Sequence, residues 1–417
     1  MLDKPVVFFI FKRPDTTKLV FEAIRQARPT RLYIFADGPR KEVAREDEMC
    51  RLTREVVQNV DWPCEVYREY SDMNLGVDRR IVSGLDLVFS KEEEAIILED
   101  DCLPSQSFFR FCSELLDRYR DDNRIMAISG SNFHYKRFQS SESYYFSRFH
   151  VPPWGWATWR RAWKLYDDSV SLWPEIKKGD RLRDILRHRE AEEYWWLILE
   201  DCYHKGPNYA WDYVWTFTNW VNNGFIITPY TNMVKNIGYR SDAVHTNMVD
   251  RLANIEAEDI SFPLNHPKVF ICHEAADQVY KDFKFGKNAR DFYMVRLLNA
   301  IMQKKPLTAP LLDRSITKVA IFGTLDLSKY LIEECRTNGI EVVALLDNEK
   351  TKEGTLIDGI PVYSPSYFAN SPDKIGFRAV ISTVLGRHEN DIIRKLSDQF
   401  PDVPILSWID LLAMNKY

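Results

Sequence analysis

Five short apolar runs alternate with amphipathic segments over the first 130 residues. The runs are PVVFFIF (5–11), RLYIFADGP (31–39), CEVYREY (64–70), EAIILEDD (94–101) and IMAISG (125–130). A continuous apolar run such as the first is typical of a strand that is covered on both faces. The segments between the runs, such as 74–90, space their apolar residues at helical intervals. The alternation predicts an α/β domain with a mostly parallel sheet and helices on both faces.

A second alternation of strands and helices begins near residue 316. The segment ITKVAIFGTLDLSKYLIEECRTNGIEVVALLDN has the pattern of strand, glycine turn, helix and strand. It predicts a smaller, doubly wound, Rossmann-like domain, although GTLDLS keeps only the first glycine of a dinucleotide fingerprint. We therefore predict a first domain over 1–283, a helix and linker over 284–315, and a second domain over 316–417.

The composition excludes several classes of protein. The net charge of −5 gives no basic footprint for nucleic acid. Seven cysteines without a CxxC pair argue against a disulfide framework and a structural zinc site, and they fit a reducing cytoplasm. No apolar run approaches the ~20 residues of a spanning helix. We expect a cytoplasmic protein that contacts the inner face of a membrane at most peripherally; the oligomeric state is not indicated.

Acidic residues follow two of the predicted strands directly. Asp37 and Gly38 end the second strand, and Glu99, Asp100 and Asp101 end the fourth. In doubly wound sheets the carboxyl ends of the strands meet at the crevice where ligands bind. Since adjacent carboxylates repel one another, we expect a positive group against the three acids. A divalent cation such as Mn²⁺ or Mg²⁺ prefers these oxygen ligands. The ordinary alternative is a strand end with solvated acids.

Several motifs in order resemble a known family of enzymes. PVVFFIFKRP, FADGP, NLGVDRRIVSGLDLVF and IILEDDCLPS are similar to nucleotide-sugar glycosyltransferases of the GT-A fold. The similarity is greatest to bacterial relatives of the N-acetylglucosaminyltransferase I type, which carry EDD where others carry DxD. WGWATWRRAW and NIGYRSDAVHT also fit, so the resemblance covers roughly residues 4–250.

The resemblance implies an activity and its partners. It implies a metal-dependent transferase of a hexosyl or N-acetylhexosaminyl group from a nucleotide diphosphate sugar, by expectation a UDP-sugar. The acceptor would be a hydroxyl of a surface glycan or lipid-linked glycan, and the transfer would invert the anomeric carbon. By analogy Asp101 is the direct metal ligand, Asp100 faces the sugar or ribose, Glu99 supports them, and His245 is a second metal or phosphate contact.

Further residues are candidates for binding the nucleotide sugar. A carboxylate at position 37 can accept a hydrogen bond from a uracil N–H or a ribose hydroxyl, and a helix N-terminus near residue 76 favours an anion. The set is Arg13, Asp37, Gly38, Asn74, Gly76 and Arg79. The alternatives are a ligand-free Asp-Gly turn, a solvated arginine and a simple helix start.

Asp212 is the candidate general base, because an inverting transfer needs a carboxylate that removes the proton of the acceptor hydroxyl. Its aromatic neighbours could desolvate it and raise its pKa. The candidate wall of the acceptor pocket is Trp154, Gly155, Trp156 and Trp211. The alternatives are a helix-start aspartate and an ordinary aromatic core, while Glu200, Asp201 and Asp242 are rival bases.

Three other functions compete with glycosyl transfer. A nucleotidyltransferase would share the sheet and the metal acids, but it should carry a glycine-rich basic loop after the first strand, and FKRPDTT lacks the glycines. A non-catalytic scaffold that binds nucleotide sugars would tolerate the loss of Asp101. A nicotinamide-dependent enzyme would use the second domain, against which the incomplete glycine turn argues.

Overall fold

The computed structural model describes most of the chain, which divides into two compact units. The described residues are 1–134, 136–138, 140–149, 154–238, 255–285, 297–298, 301, 305–324, 326–369, 376–384, 388–408 and 410–411. Unit 1 comprises Met1–Val170 and Pro207–Lys284, and unit 2 comprises Ser171–Gly206 and Phe285–Tyr417. Our boundaries left 171–206 in the first domain, whereas Leu197 from this segment packs in the core of unit 2 with Leu307 and Leu311.

The strands of unit 1 confirm the predicted α/β class. They are β1 (Val6–Ile10), β2 (Arg31–Ala36), β3 (Glu65–Tyr70), β4 (Glu94–Glu99), β5 (Cys102–Pro104), β6 (Ile125–Ser129), β7 (Tyr144–Ser147), β8 (Trp156–Trp159), β9 (Phe225–Pro229) and β10 (Val234–Asn236). Eight of them form one sheet in the order β3-β2-β1-β4-β8-β6-β9-β7, and β5 pairs with β10. β1 to β4 run parallel, and β8 is antiparallel to both of its neighbours.

The described helices flank these strands and those of unit 2. In chain order they are α1 (Pro14–Ala27), α2 (Glu46–Val56), α3 (Val77–Lys91), α4 (Gln106–Arg118), α5 (Arg160–Trp163), α6 (Trp173–Lys178), α7 (Leu182–Leu186), α8 (Arg189–Lys205), α9 (Trp211–Val221), α10 (Glu274–Phe285), α11 (Ala309–Asp313), α12 (Asp326–Thr337), α13 (Pro365–Ala369) and α14 (His388–Gln399). None of the helices in the described part of the chain is long and apolar enough to cross a membrane.

Strand β1 is buried on both faces, as its apolar sequence predicts. Successive side chains of a strand point to opposite faces of the sheet. Phe8 packs on one face with Val20 of α1, and Phe9 packs on the other with Leu85 of α3. All five residues of β1 are buried, so both helix layers depend on this strand.

The strand order creates a crevice beside β1. The chain passes from β1 outwards to β2 and β3, and then returns to β4 on the other side of β1. The connections after β1 and after β4 therefore leave the sheet in opposite directions. Ligands of doubly wound sheets bind at such a switch point, beyond the carboxyl ends of the strands.

The tryptophan-rich segment builds the core of unit 1. Trp156 is 1% exposed and stacks on Trp211, with ring centroids 6.0 Å apart, whereas Trp159 points to the opposite face of the sheet. Trp154 is partly buried and meets the ring of Phe133 edge-on at 5.1 Å. Two tryptophans of the predicted acceptor wall, at positions 156 and 211, are thus core residues. Alternation along β8 turns Trp156 into a helix layer, where Trp211, the first residue of α9, packs in the same cluster.

Unit 2 has the doubly wound arrangement that its sequence predicts. Its strands are β11 (Lys318–Phe322), β12 (Glu341–Leu346), β13 (Leu356–Ile357), β14 (Ile360–Tyr363), β15 (Ala379–Ser382) and β16 (Ile405–Ser407). The sheet order is β13-β14-β12-β11-β15-β16, and every pair except the β13–β14 hairpin is parallel.

The acid at the end of β12 accepts hydrogen bonds from other residues of unit 2. Asp347 Oδ2 accepts hydrogen bonds from Thr324 Oγ1 at 2.5 Å and from Lys352 Nζ at 3.2 Å. These partners lower the pKa of Asp347 against the opposing effect of burial. The carboxylate in the position of a ribose-binding acid is therefore paired within the domain.

Leu98 provides a test of the buried sheet. It lies in β4 with no exposed surface, so Leu98→Ala should leave a cavity and lower the free energy of unfolding by about 2–5 kcal/mol. Denaturant unfolding measures the change. Leu19→Ala, at a site that is 53% exposed, is the matched control and should change stability by less than about 0.5 kcal/mol. Equal effects of the two substitutions would contradict this packing.

Candidate functional site

A cavity of about 390 Å³ lies in unit 1 at the carboxyl ends of β1, β2 and β4. Its charged lining residues include four cations and five carboxylates: Lys12, Arg13, Arg40, Arg80, Asp37, Asp78, Glu99, Asp100 and Asp101. The cavity is at the predicted switch point. Five of these nine residues are site candidates from the sequence: Arg13, Asp37, Glu99, Asp100 and Asp101.

Two of the three acids at the end of β4 are held by contacts from the loop after β1. The backbone N–H of Phe11 donates to Asp100 Oδ2 at 3.0 Å. Arg13 Nη1 donates to Asp101 Oδ2 at 2.9 Å. The predicted positive group against the acids is therefore present as an arginine.

Asp100 and Glu99 hold protons more tightly than ordinary carboxyls do. Burial and the charge of Asp101 raise the pKa of Asp100 to about 7, against the opposing effects of Arg13 and the N–H of Phe11. Burial and the charges of Asp101, Asp100 and Asp212 raise the pKa of Glu99 well above its usual range. Arg13 alone therefore does not neutralise the cluster. A further cation would be favoured here, because an opposite charge stabilises the ionised forms.

The donor set fits a divalent cation that is shared with a ligand. Mn²⁺ and Mg²⁺ take oxygen ligands, often only one or two protein carboxylates together with water and phosphate. Asp101 and its neighbours offer such oxygens. A group of three potential ligand atoms within 4.8 Å of one another occurs, among the described residues, only at Glu200, His204 and Asp410 of unit 2. Among the described residues, the acids at the end of β4 do not form such a group, so a cation there would also take ligands from water or phosphate.

The cluster in unit 2 already contains a cationic side chain. Lys177 Nζ lies 2.7 Å from Glu200 Oε1 and 3.4 Å from Asp410 Oδ1. Trp173 Nε1 also donates to Glu200 Oε1 at 2.6 Å. These contacts describe a buried ion-pair network, so Glu200 has a structural partner and is a weaker candidate for the general base.

Asp37 organises the loop that enters α3. Its Oδ1 accepts from the N–H groups of Gly38 (2.9 Å) and Leu75 (2.8 Å), and its Oδ2 accepts from Asn74 Nδ2 (3.0 Å) and from the N–H of Gly76 (3.0 Å). Four donors occupy roughly all the acceptor positions of a carboxylate. The structure therefore gives Asp37 a positioning role, while the predicted contact of Asp37 with a base or ribose stays a prediction.

Close backbone approach and an unusual φ explain two glycines of this loop. A Cβ on Gly38 would lie 2.5 Å from the backbone carbon of Met73, which cannot move aside as a flexible side chain would. Gly76, with φ of 83°, precedes the first turn of α3 in a conformation that favours glycine. Gly76 lines the cavity, whereas Gly38 lets the backbone beside it close up.

The two arginines of α3 have different positions. Arg79 is exposed and is not among the residues that line the cavity, judged over the described part of the chain. Arg80 lines it, donates to Glu69 Oε1 at 2.7 Å and lies 5.2 Å from the ring centroid of Phe35. The helical period decides this difference, since neighbouring residues of a helix point in different directions.

Gly238 closes the site from the side of β10. The N–H of Ile237 donates to the carbonyl oxygen of Asp101 at 2.8 Å. A Cβ on Gly238 would collide with Asp101 Oδ2 and Arg13 Nη1. A side chain at position 238 would therefore force the Arg13–Asp101 pair to shift. The predicted metal or phosphate contact His245 lies outside the described residues.

Asp212 lies near the acids but not in the cavity lining. Its charge is one of the causes of the raised pKa of Glu99. The N–H of Trp211 donates to Asp78 Oδ1 at 2.8 Å, which ties the first turn of α9 to a residue of the cavity. The structure thus brings the candidate base into electrostatic range of the acidic cluster.

A second group of charges in the cavity, Lys12 and Arg40, is not among the residues predicted from the sequence. Both line the cavity, and the buried Glu46 binds both. The only sequence signal was their position in the loops after β1 and β2. Nothing in the local pattern of α2 indicates that Glu46 faces inwards, because α2 is otherwise a polar helix.

The comparisons with known proteins are of limited extent. No protein-family model and no curated protein matches the chain. An apo-UDP-glucose pyrophosphorylase is similar over 56% of this chain and 93% of that protein, with 9% identity and a TM-score of 0.28. A UDP-D-quinovosamine 4-dehydrogenase from Vibrio fischeri is similar over 22% and 77%, with 23% identity and a TM-score of 0.20.

A further solved structure gives a similar result. The 4-diphosphocytidyl-2C-methyl-D-erythritolsynthase from Anaerococcus prevotii DSM 20548 is similar over 39% of this chain and 75% of that protein, with 10% identity and a TM-score of 0.25. Because the TM-scores and identities of these similarities are low, the function has to be argued from the site itself.

Asp100→Asn tests the electrostatic balance of the acids. A carboxyl whose pKa rises from 3.8 to about 7 on folding keeps its proton longer in the folded state, so the free energy of unfolding falls as pH rises through that window. The substitution should remove this fall. We expect a gain of about 1–3 kcal/mol near pH ~8 in EDTA, and none near pH ~4.

Urea unfolding across this pH range measures the effect. The groups that act on Asp100 are Asp101, Arg13, Asp15 and the N–H of Phe11, and all remain in the variant. The exposed Asp121→Asn is the matched control. Parallel pH profiles of Asp100→Asn and the wild type would show that Asp100 carries no raised pKa.

Proposed function

We propose that this protein is a metal-dependent glycosyltransferase. It would move a sugar from a nucleotide diphosphate sugar, most simply a UDP-sugar, to a hydroxyl of a glycan or lipid-linked glycan. The observation that carries the proposal is the acidic cluster after β4, which shares one cavity with Arg13 and with the loop that Asp37 organises.

The charges of the cavity suit the donor. The diphosphate of a nucleotide sugar is anionic, and more negative charge develops on it as the glycosidic bond breaks. Asp101 and its neighbouring acids would hold the Mn²⁺ or Mg²⁺, and the bound ion supplies electrostatic stabilisation of the departing diphosphate. Arg13 positions Asp101 from the other side at 2.9 Å.

Asp100 and Glu99 have roles that follow from their protonation. Their raised pKa values in the metal-free protein mean that a proton occupies part of the cluster until a cation replaces it. Asp100, held by the N–H of Phe11, would then accept a hydrogen bond from the donor's sugar or ribose. Glu99 would support the ionised cluster.

Asp212 is the residue that we assign as general base. Its carboxylate would take the proton of the acceptor hydroxyl while that oxygen attacks the anomeric carbon, which inverts the configuration there. Its electrostatic proximity to Glu99 and the tie between Trp211 and Asp78 support this assignment.

Asp101→Asn tests the metal and nucleotide site. Thermal unfolding with UDP, GDP or CDP, each in Mn²⁺ and in EDTA, should show stabilisation of the wild type by one diphosphate in Mn²⁺ only. The variant should lose that shift, because it loses a charged ligand. The exposed Asp121→Asn should keep it. Stabilisation that is indifferent to both metal and Asp101 would overturn the proposal.

The released product separates the rival functions. With a nucleotide sugar and an acceptor, a glycosyltransferase releases a nucleoside diphosphate, whereas a nucleotidyltransferase working from a nucleoside triphosphate releases pyrophosphate. Mn²⁺-dependent binding without turnover of any donor in an acceptor panel would identify a scaffold. Stabilisation by NAD alone would direct attention to unit 2.

Asp212→Asn tests the general base. Loss of the proton acceptor should lower kcat by about 10²–10⁴-fold, while the Mn²⁺-dependent thermal shift with the diphosphate remains. Acceptor turnover and thermal unfolding are measured on the same preparations. Asp201→Asn and Glu200→Gln serve as comparison variants from the rival acids. A variant at position 212 with full kcat would assign the proton transfer to another residue.

A further inference from the structure

A buried carboxylate holds two cations at the wall of the cavity. Glu46 is the first residue of α2, and its side chain has no exposed surface. Its Oε1 accepts from Lys12 Nζ at 2.7 Å and from Arg40 Nη2 at 2.5 Å. Its Oε2 accepts from Arg40 Nε at 2.9 Å and from the Arg40 N–H at 2.8 Å. These bonds fix the positions of both cations, which we call the cation wall.

The cation wall carries an excess of positive charge. One carboxylate between Lys12 and Arg40 leaves one net positive charge beside the cavity. Within the part of the chain that the structure describes, the ion pairs of both cations involve only Glu46. Hydrogen bonds from Arg40, followed by those from Lys12, lower the pKa of Glu46 to about 2 despite burial. The arrangement therefore persists at any ordinary working pH.

The loop after β1 joins this wall to the acidic cluster. Lys12 bonds Glu46, whereas the next residue, Arg13, bonds Asp101. Two successive side chains thus contact opposite sides of one cavity. The side of Lys12 has a net positive charge, and the side of Asp101 has a net negative charge. A ligand that suits both sides needs an anionic group that can lie against cations and can also share a metal ion with carboxylates.

We infer that Lys12 and Arg40, held in place by Glu46, bind a phosphate group of the donor, and that this contact does not require the metal. The inference rests on the proposed function for the identity of the ligand. It adds a second source of affinity to the site, with Glu46 as a positioning residue. Binding of a diphosphate would then have a metal-dependent part from the acids and a metal-independent part from the cation wall.

Inorganic pyrophosphate in EDTA isolates the second part, because it carries the charge without base, sugar or metal. Titration calorimetry of Lys12→Met and of Arg40→Met should show an affinity for pyrophosphate that is lower by at least about tenfold. A tenfold loss corresponds to about 1.4 kcal/mol of binding free energy. Lys18→Met and Arg51→Met, at exposed positions of α1 and α2, are matched controls and should bind as the wild type does. Unchanged affinity in both wall variants would overturn the inference.

Glu46→Gln separates positioning from charge. If the wall acted through charge alone, removal of a carboxylate would strengthen pyrophosphate binding. We expect weaker binding instead, because an amide cannot accept all four hydrogen bonds and both cations lose their common anchor. Tighter binding would contradict the role of Glu46. Melting temperatures identify any variant that fails to fold. If Arg40→Met does not fold, Arg40→Lys replaces it, because lysine keeps the charge but cannot make the forked contact with Glu46. Its affinity for pyrophosphate should also be reduced.

The two proposals fail separately. Loss of pyrophosphate binding in the wall variants, without any Mn²⁺-dependent shift by a nucleoside diphosphate, would support the cation wall and reject the metal-dependent transferase. A Mn²⁺-dependent shift in melting temperature that needs Asp101, together with pyrophosphate binding that does not depend on Lys12 and Arg40, would support the metal-dependent transferase and reject the cation wall.

Discussion

Burial of β1 on both faces is the constraint on which the rest of unit 1 depends. Its side chains alternate between the layer of α1 and the layer of α3, so no position within it can carry a solvated charge. The same holds for the apolar part of β4. Charged residues that follow these strands therefore gather at the carboxyl edge. The order of the strands brings the end of β4 beside the end of β1, where Arg13 meets Asp101.

The charges that line the cavity at this edge do not compensate one another on either side. Three consecutive acids face one arginine, and burial strengthens the repulsion between their charges. The pKa of Asp100 therefore rises to about 7, and its carboxyl keeps a proton below that pH. A divalent cation would replace that proton and use the same oxygens. On the other side Glu46 is outnumbered by Lys12 and Arg40. Under the proposed function, each side would suit a different part of the ligand, a metal-bound diphosphate.

Steric details maintain this balance. Gly238 leaves the space in which the Arg13–Asp101 pair forms, and Gly38 lets the backbone of Met73 approach the end of β2. Asp37 then holds the start of α3 through four hydrogen bonds. These residues act on the charged side chains of the cavity through the backbone, and a contact between Asp37 and a nucleotide is not needed to explain its burial.

The sequence by itself determined strands β1 to β4, β6, β11 and β12, the α/β class and the acids at the ends of β2 and β4. Apolar periodicity reports local burial, and the common direction of parallel strands places their ends at one edge. The tertiary structure decided the partners. Glu46 lies 34 residues from Lys12, and Arg13 lies 88 residues from Asp101. It also decided that Trp156 and Trp211 stack in the core and that 171–206 belongs to unit 2. Periodicity says whether a side chain is buried, but which distant group it meets depends on strand order and helix packing.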